Sequence, residues 1–419
     1  MSVLSDYFQL QLPEHVSSPI LTRLLWVRGL RAFADGYISL LLPIYLIALD
    51  MSPFQVGIIT TTTLIGSGVL TLLIGLQAYR FKYRTLLMMA AALMAGTGLG
   101  FAFVTDFWPL LLIAFVGTLN PSSGDVSIFL PLEHAVLSRF VEDDRRTAFF
   151  ARYSLVGTLV AAVGALATGV PDMIVTATYI GTKVALQAMF VLYGIFGLLA
   201  ASIYATLPKE MATDDKIRAA PLKQSKKIVY TLAALFSLDA FGGGFVVQSM
   251  LALWLFEKFQ LSLVTTGTIF FWAGIFSALS YLAATRIASR FGLVNTMVFT
   301  HLPANILLIL IPFMPTLGWA IALLLARSFL SQMDVPTRSS YVMAVVPPSE
   351  RAAAASITLV PRSLAAAAGP VLAGYLLSMS SFGWSLVIAG SLKIIYDVLL
   401  LRMFRTVRPP EEGHSNGQG

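Results

Sequence analysis

The sequence predicts an all-α membrane protein: twelve transmembrane helices in two pseudo-symmetric six-helix bundles. Three observations predict it. Hydrophobic residues make up 57% of the 419 residues and charged ones only 12%, against roughly a quarter charged in a soluble domain. Apolar runs of the roughly 20 residues needed to cross a bilayer recur along the whole chain, and the mean hydropathy of +0.80 is too high for a single buried helix. The two halves of the chain also repeat one another.

Taken in order, the spans fall at about 24–49, 53–77, 84–105, 107–138, 148–170, 183–206, 228–256, 263–285, 293–313, 317–346, 355–378 and 382–404. The first twenty residues contain Glu14 and no basic stretch leading a short apolar one, so no cleavable signal is expected and span one inserts on its own account. The fourth and tenth spans are long and rich in polar residues. Residues 1–206 therefore form an N-terminal bundle, 207–227 a cytoplasmic central loop, 228–406 a C-terminal bundle, and 407–419 a disordered cytoplasmic tail.

Lys and Arg in the short loops set the orientation. Arg80, Lys82 and Arg84 follow span two, and Arg139, Arg145 and Arg146 follow span four. Six cations lie in the central loop between Lys209 and Lys227. Arg286 and Arg290 follow span eight, Arg351 follows span ten, and Arg402, Arg405 and Arg408 lie at the end. The opposite loops hold Asp50, Asp106, Asp172 and Glu257, with Lys183 and Lys258 as their cations. Both termini are thus expected in the cytoplasm. The net charge of +7 is topology and not a nucleic-acid footprint.

The internal repeat has a single offset of 210 residues. Ser52–Gly57 (SPFQVG) matches Ser262–Gly267 (SLVTTG), and Ala78-x-Arg80-Phe81 matches Ala288-x-Arg290-Phe291. Arg152 matches Arg362, and Gly164 matches Gly374. Parallel six-span repeats place a substrate site at their interface near the bilayer midplane.

These features resemble the major facilitator superfamily over essentially the whole chain. Its loop between spans two and three reads roughly G-x-x-x-D-R-x-G-R-R; here it is GLQAYRFKYR, Gly75–Arg84, with Tyr79 at the acidic place and Lys82 at the second glycine. The second copy, Thr285–Val294, has Ser289 at the acidic place and keeps Gly292. Gly369-Pro370-x-x-x-Gly374 in span eleven is similar to an element that exporters of the family carry in span five, where this chain has Gly157 and Gly164 without the proline. Met333–Ser356 resembles a group of prokaryotic members. The resemblance implies the major facilitator fold, with spans one, four, seven and ten lining a central cavity. Asp35, Asp125, Asp239 and Asp334 fall one in each.

Ionisable groups inside a span cost about 3 kcal/mol or more and mark cavities or mutual pairs. Arg28, Arg31 and Asp35 share one face of span one. They read either as cavity wall, with Asp35 carrying a proton or meeting substrate, or as an Arg31–Asp35 pair bracing the bundle. Arg327, Ser331, Asp334, Arg338 and Tyr341 recur at spacings of 4, 3, 4 and 3 as a polar stripe in span ten. It is either a cavity lining or a set of structural salt bridges. Arg152 and Arg362 read as gate residues or as cations snorkelling to headgroups. Arg80 and Arg290, in the two loop motifs, are further gate candidates. Asp239 precedes Phe241–Phe245 (FGGGF), a hinge or a close-packing device. His301, Pro303 and Asn305 read as structural.

Span four poses the sharpest local question, because Asn120–Ala135 carries Asp125, Glu133 and His134. As a continuous helix it places Ser122, Asp125, Phe129 and Leu132 on one face, with Asp125 near mid-membrane. Glu133 and His134 then diverge by about 100°. Glu133 is expected to be a gate partner for a cytoplasmic-end arginine, and His134 structural.

Enzyme motifs, a P-loop and thiolate sites are missing from a chain with no Cys and four His, so no metal, cofactor or ATP-driven step is expected. The expectation is a monomeric, multi-pass inner-membrane secondary transporter. It moves a small organic solute, anionic or zwitterionic, by alternating access with proton or other ion coupling, and the Gly369-Pro370 element leans toward export. An uptake symporter, a non-transporting receptor and a lipid flippase are the alternatives on the same fold.

Overall fold

The computed structural model describes residues 19–77, 81–122, 127–140, 143–208, 222–347 and 350–404, and all regular structure among them is helical. Arg80, Asp125, most of the central loop and the tail lie outside the described residues. Ten helical stretches are long and apolar enough to cross a membrane. Two further crossings are built from shorter pieces, Phe107–Val116 with Phe129–Phe140 and Leu317–Leu330 with Asp334–Val345. Twelve crossings result.

Span one is continuous from Pro19 to Ala48. Span five runs on from Asp143–Leu166 through a 3-10 turn into Val170–Thr178, further than the sequence suggested. Asp172 accordingly lies in helix, where its carboxylate accepts the Leu263 amide at 3.2 Å. That contact puts a negative charge on the positive end of the span-eight helix.

Spans four, seven and ten are interrupted. Span seven stops at Gly244 and restarts at Gln248, so the three glycines Gly242–Gly244 close its first segment. Span ten stops at Leu330 and restarts at Asp334. Pro336 sits in the first turn of that new helix, where its missing amide would have had no partner anyway. The stripe expected along span ten is divided: the helix is interrupted at 331–333, and Arg327 and Ser331 line a cavity between the halves while Asp334 and Arg338 join an ion-pair network. The shared face expected in span four dissolves likewise, because Gly117–Ser122 is not helical while Phe129 and Leu132 are buried.

Packing follows the internal repeat. Span one packs on five and three on six; in the second half, seven packs on eleven and nine on twelve. Across the halves, two packs on eleven and five on eight. Each contact in one half is its counterpart's image in the other, as a pseudo-twofold relation requires. The cross-half seams are backbone-close. A Cβ on Gly57 would stand 2.5 Å from the Pro370 carbonyl, and one on Gly374 would meet Gly57 Cα at 3.0 Å. The equivalent seam sets Gly267 on the Ala165 carbonyl. Small residues allow this approach where lipid provides no hydrophobic drive. Gly369 packs on Gly244, so the Gly369-Pro370-Gly374 element braces the break in span seven and the seam with span two. Both seams lie toward the membrane side opposite the chain ends, the far side; the other is the termini side.

Candidate functional site

A cavity of about 400 Å³ lies between the halves, on the termini side of the two seams. Span one contributes Arg28, Asp35 and Ser39, span five Ser154 and Thr158, and span eight Ser277 and Tyr281. The three breaks supply the rest: Asn120 and Ser122, Val246 and Gln248, and Ser331 and Gln332. Arg327 joins them from the turn before the third break. Non-helical backbone at membrane depth is tolerated where it lines a polar cavity or finds protein partners, and both hold here. The Ser249 amide, left free by the restart of span seven, donates to the Pro121 carbonyl at 3.1 Å. Beside it Gln248 Nε2 donates to Ser39 Oγ at 3.1 Å, and Tyr281 OH donates to Gln332 Oε1 at 3.0 Å.

Each half contains a separate buried charge network away from the cavity wall. In the first half Arg31 Nη2 lies 2.6 Å from Glu133 Oε2, with exposures of 1% and 0%. Tyr153 and Tyr204 both donate their hydroxyls to the Glu133 carboxylate. Arg31 also donates to Ser127 Oγ at 3.2 Å and lies 4.1 Å from the Phe129 ring centre. The charges are matched and the carboxylate is saturated with donors, which is what makes burial of an ion pair tolerable.

In the second half Asp239 is the hub. Arg338 Nη2 lies 2.9 Å from its Oδ2 and Lys393 Nζ 2.7 Å from its Oδ1. Arg338 also pairs with Asp334. His301 Nε2 is 3.8 Å from Asp239, and its Nδ1 is 2.9 Å from Asp397. Asn305 Nδ2 donates to the second Asp397 oxygen at 2.9 Å. The halves thus tie the same pair of spans with opposite polarity. Span one brings the cation and span four the carboxylate, whereas span seven brings the carboxylate and span ten the cation.

Of the cavity candidates, Asp35 and Arg327 are on the wall. Arg31, Asp239, Asp334 and Arg338 are instead in the two networks, and Asp125 lies outside the described residues. Glu133, expected to meet a cytoplasmic-end arginine, faces Arg31 deep in its own half. Its neighbour His134 diverges from it and stacks on Phe150 at 4.6 Å. Arg152 and Arg362 are half-buried and make no ion pair among the described residues. Arg290 is exposed, 5.6 Å from the Phe291 ring centre at the end of span eight. Arg80 lies outside the described residues.

Sequence reasoning missed Lys393 and Asp397, although an i, i+4 cation–carboxylate pair in an otherwise apolar span is a legible signal. It also missed Tyr153 and Tyr204, which carry no charge and give no such signal.

The sequence matches the family profile of the Major Facilitator Superfamily over residues 24–333. It is 25% identical to the uncharacterized membrane protein YJR124C of Saccharomyces cerevisiae, over 91% of this chain and 93% of that one. The fold is similar to the nucleoside transporter NupG, with TM-score 0.71 and 14% identity over 92% and 99% of the two chains. It is also similar to a bacterial homolog of the human lysosomal transporter Spinster in its inward-facing, occupied conformation, with TM-score 0.74 and 15% identity over 93% and 98%. The human organic anion transporter MFSD10 (TETRAN) matches with TM-score 0.63 and 18% identity over 93% and 100%.

Proposed function

The chain belongs to the Major Facilitator Superfamily, and on that premise we propose that it is a secondary transporter, and not an enzyme, moving a small organic solute through the cavity between its halves by alternating access. The observation that carries this reading is the cavity itself. It is walled by breaks in spans four, seven and ten, and closed toward the far side by the two glycine seams. Opening those seams while the termini side closes would pass a solute across without an open pore.

The distribution of Lys and Arg supports a cytoplasmic termini side, so the described state faces inward. Proton coupling is supported by Asp35, a carboxylate on the cavity wall whose charge a single proton removes. Export is supported by the resemblance of the Gly369-Pro370 element, and the chain works as a monomer in this reading.

The test is reconstitution of the full chain in liposomes. Uptake and release of pooled metabolites and drugs are followed with and without a pH gradient. Gradient-dependent movement of at least one solute is expected; no movement of any compound in either condition overturns the proposal.

A further inference from the structure

Arg28 and Arg31 in span one and Arg327 and Arg338 in span ten lie at or beside the cavity, and the structure divides them. Arg31 is consumed by Glu133, and Arg338 by Asp239 and Asp334. Arg28 lies 5.1 Å from the Tyr153 ring centre and shares the cavity wall with Asp35. Arg327 differs. It lines the cavity, yet makes no ion pair among the described residues, and its Nε is buried without a hydrogen-bond partner. A guanidinium offers five N–H donors and keeps its charge. Arg327 is half-buried, with one N–H unpartnered and its charge on the cavity wall without an ion pair among the described residues, an arrangement suited to an anion that arrives from outside the chain.

The surroundings say what kind of anion. Ser277, Ser328, Ser331 and Gln332 flank Arg327 on the wall, and Thr158 and Gln248 lie on other sides of the cavity. These are neutral groups that donate and accept hydrogen bonds; Arg28, Asp35, Phe270 and Tyr281 share the wall with them. We propose that the cavity binds a polar organic anion, with its acidic group on Arg327 and its hydroxyl or amide groups on this neutral wall. The assignment rests on the transporter reading only in taking the cavity as the solute site. A cationic drug would place a second positive charge against Arg327.

The chain has no cysteine, which permits a test that needs no known substrate. Single thiols are introduced by Ser331→Cys, one turn from Arg327, and separately by Ala273→Cys on span eight. The full-length protein in liposomes is then treated with methanethiosulfonates carrying either a sulfonate or a trimethylammonium group. Each rate is normalised to that of free 2-mercaptoethanol. The anionic reagent is expected to be favoured by about tenfold, from an unscreened charge at this range. Arg327→Gln should bring the ratio close to one, and Arg327→Lys should retain most of it. A normalised ratio of one or less, or one that Arg327→Gln leaves unchanged at both thiols, overturns the proposal and leaves the transporter reading standing. Thiols at both positions that react with neither reagent overturn the transporter reading as well, because no solute would then reach the cavity.

Discussion

The amide of Ser249 and the carbonyl of Pro121 satisfy each other across 3.1 Å, one from each half of the molecule. Each is a backbone group set free by a break in its own span, and each would be costly to leave unpaired at membrane depth. The breaks in spans four and seven are therefore mutually capped in this state, with Gln248 and Ser39 joined beside them. Movement of one half against the other must exchange these bonds for water or for new partners. The halves are joined at the two helix seams and, across the cavity, at these breaks, and each is braced internally by charge.

The first-half brace predicts a graded loss of stability. Glu133→Gln leaves Arg31 buried without its counter-ion and is expected to destabilise the protein by about 3–5 kcal/mol. Tyr204→Phe removes one charged hydrogen bond and is expected to cost about 2 kcal/mol. Arg31→Met combined with Glu133→Leu should recover most of the loss, since an apolar pair carries no desolvation penalty. Thermal unfolding in detergent gives the ordering; a double variant no better than Glu133→Gln contradicts the brace.

In the second half the hub should matter more than any spoke. Asp239→Asn strands Lys393 and leaves Arg338 with Asp334 alone, whereas Lys393→Met leaves Asp239 paired with Arg338 at 2.9 Å. The first substitution is expected to lower the unfolding temperature clearly more than the second. Equal losses would mean that Asp239 does not organise the network.

Glu350 predicts a pH dependence outside the membrane. The Ser225 hydroxyl, then the amides of Gln224, Lys223 and Ser225, donate to its carboxylate and lower its pKa from an ordinary 4.5 to about 2. These bonds favour the charged form, so the folded state holds fewer protons than the unfolded one between those values. The stabilisation is fully present above about pH 5 and fades as pH falls toward 2. The difference in unfolding temperature between the protein and Glu350→Gln should be largest at neutral pH and shrink on acidification. A difference that grows below pH 4 would contradict the assignment.

The far-side seam predicts a gating defect without a folding defect. A side chain at Gly57 meets the Pro370 carbonyl and the span-eleven backbone. Gly57→Leu should therefore hold the far side open. Reaction of a single Ser39→Cys thiol with an impermeant reagent added from the far side is expected to rise about tenfold, with normal membrane insertion. Unchanged reactivity would show that this seam does not close the cavity.

Much of the fold was legible because it follows from local physics. Apolar length gave the twelve crossings, and a repeat at one offset gave their division into two related halves. Gly242–Gly244 marked the break in span seven. The break in span ten was harder, since Ser331–Met333 holds no glycine or proline and a helical wheel assumes that the helix continues. That assumption joined Arg327 to Arg338, which the structure separates. Charge partners were least legible: Arg31 lies beside Asp35 in sequence, yet its 2.6 Å contact is with Glu133, 102 residues away. Such choices are made by tertiary packing, as is the role of Tyr204, whose neutral hydroxyl gives the sequence no mark.

The central claim is that the halves must part on the far side for a solute to cross. The Val371 amide donates to Thr61 Oγ1 at 3.0 Å across the seam between spans two and eleven, which makes this pair suited to a reversible lock in a chain without other thiols. Thiols introduced by Thr61→Cys and Val371→Cys would be oxidised to a disulfide in liposomes, and transport of a solute found in the uptake screen measured before and after reduction. Transport should stop when the lock is closed and return when it is reduced. Transport at the full rate through the oxidised protein would contradict the account.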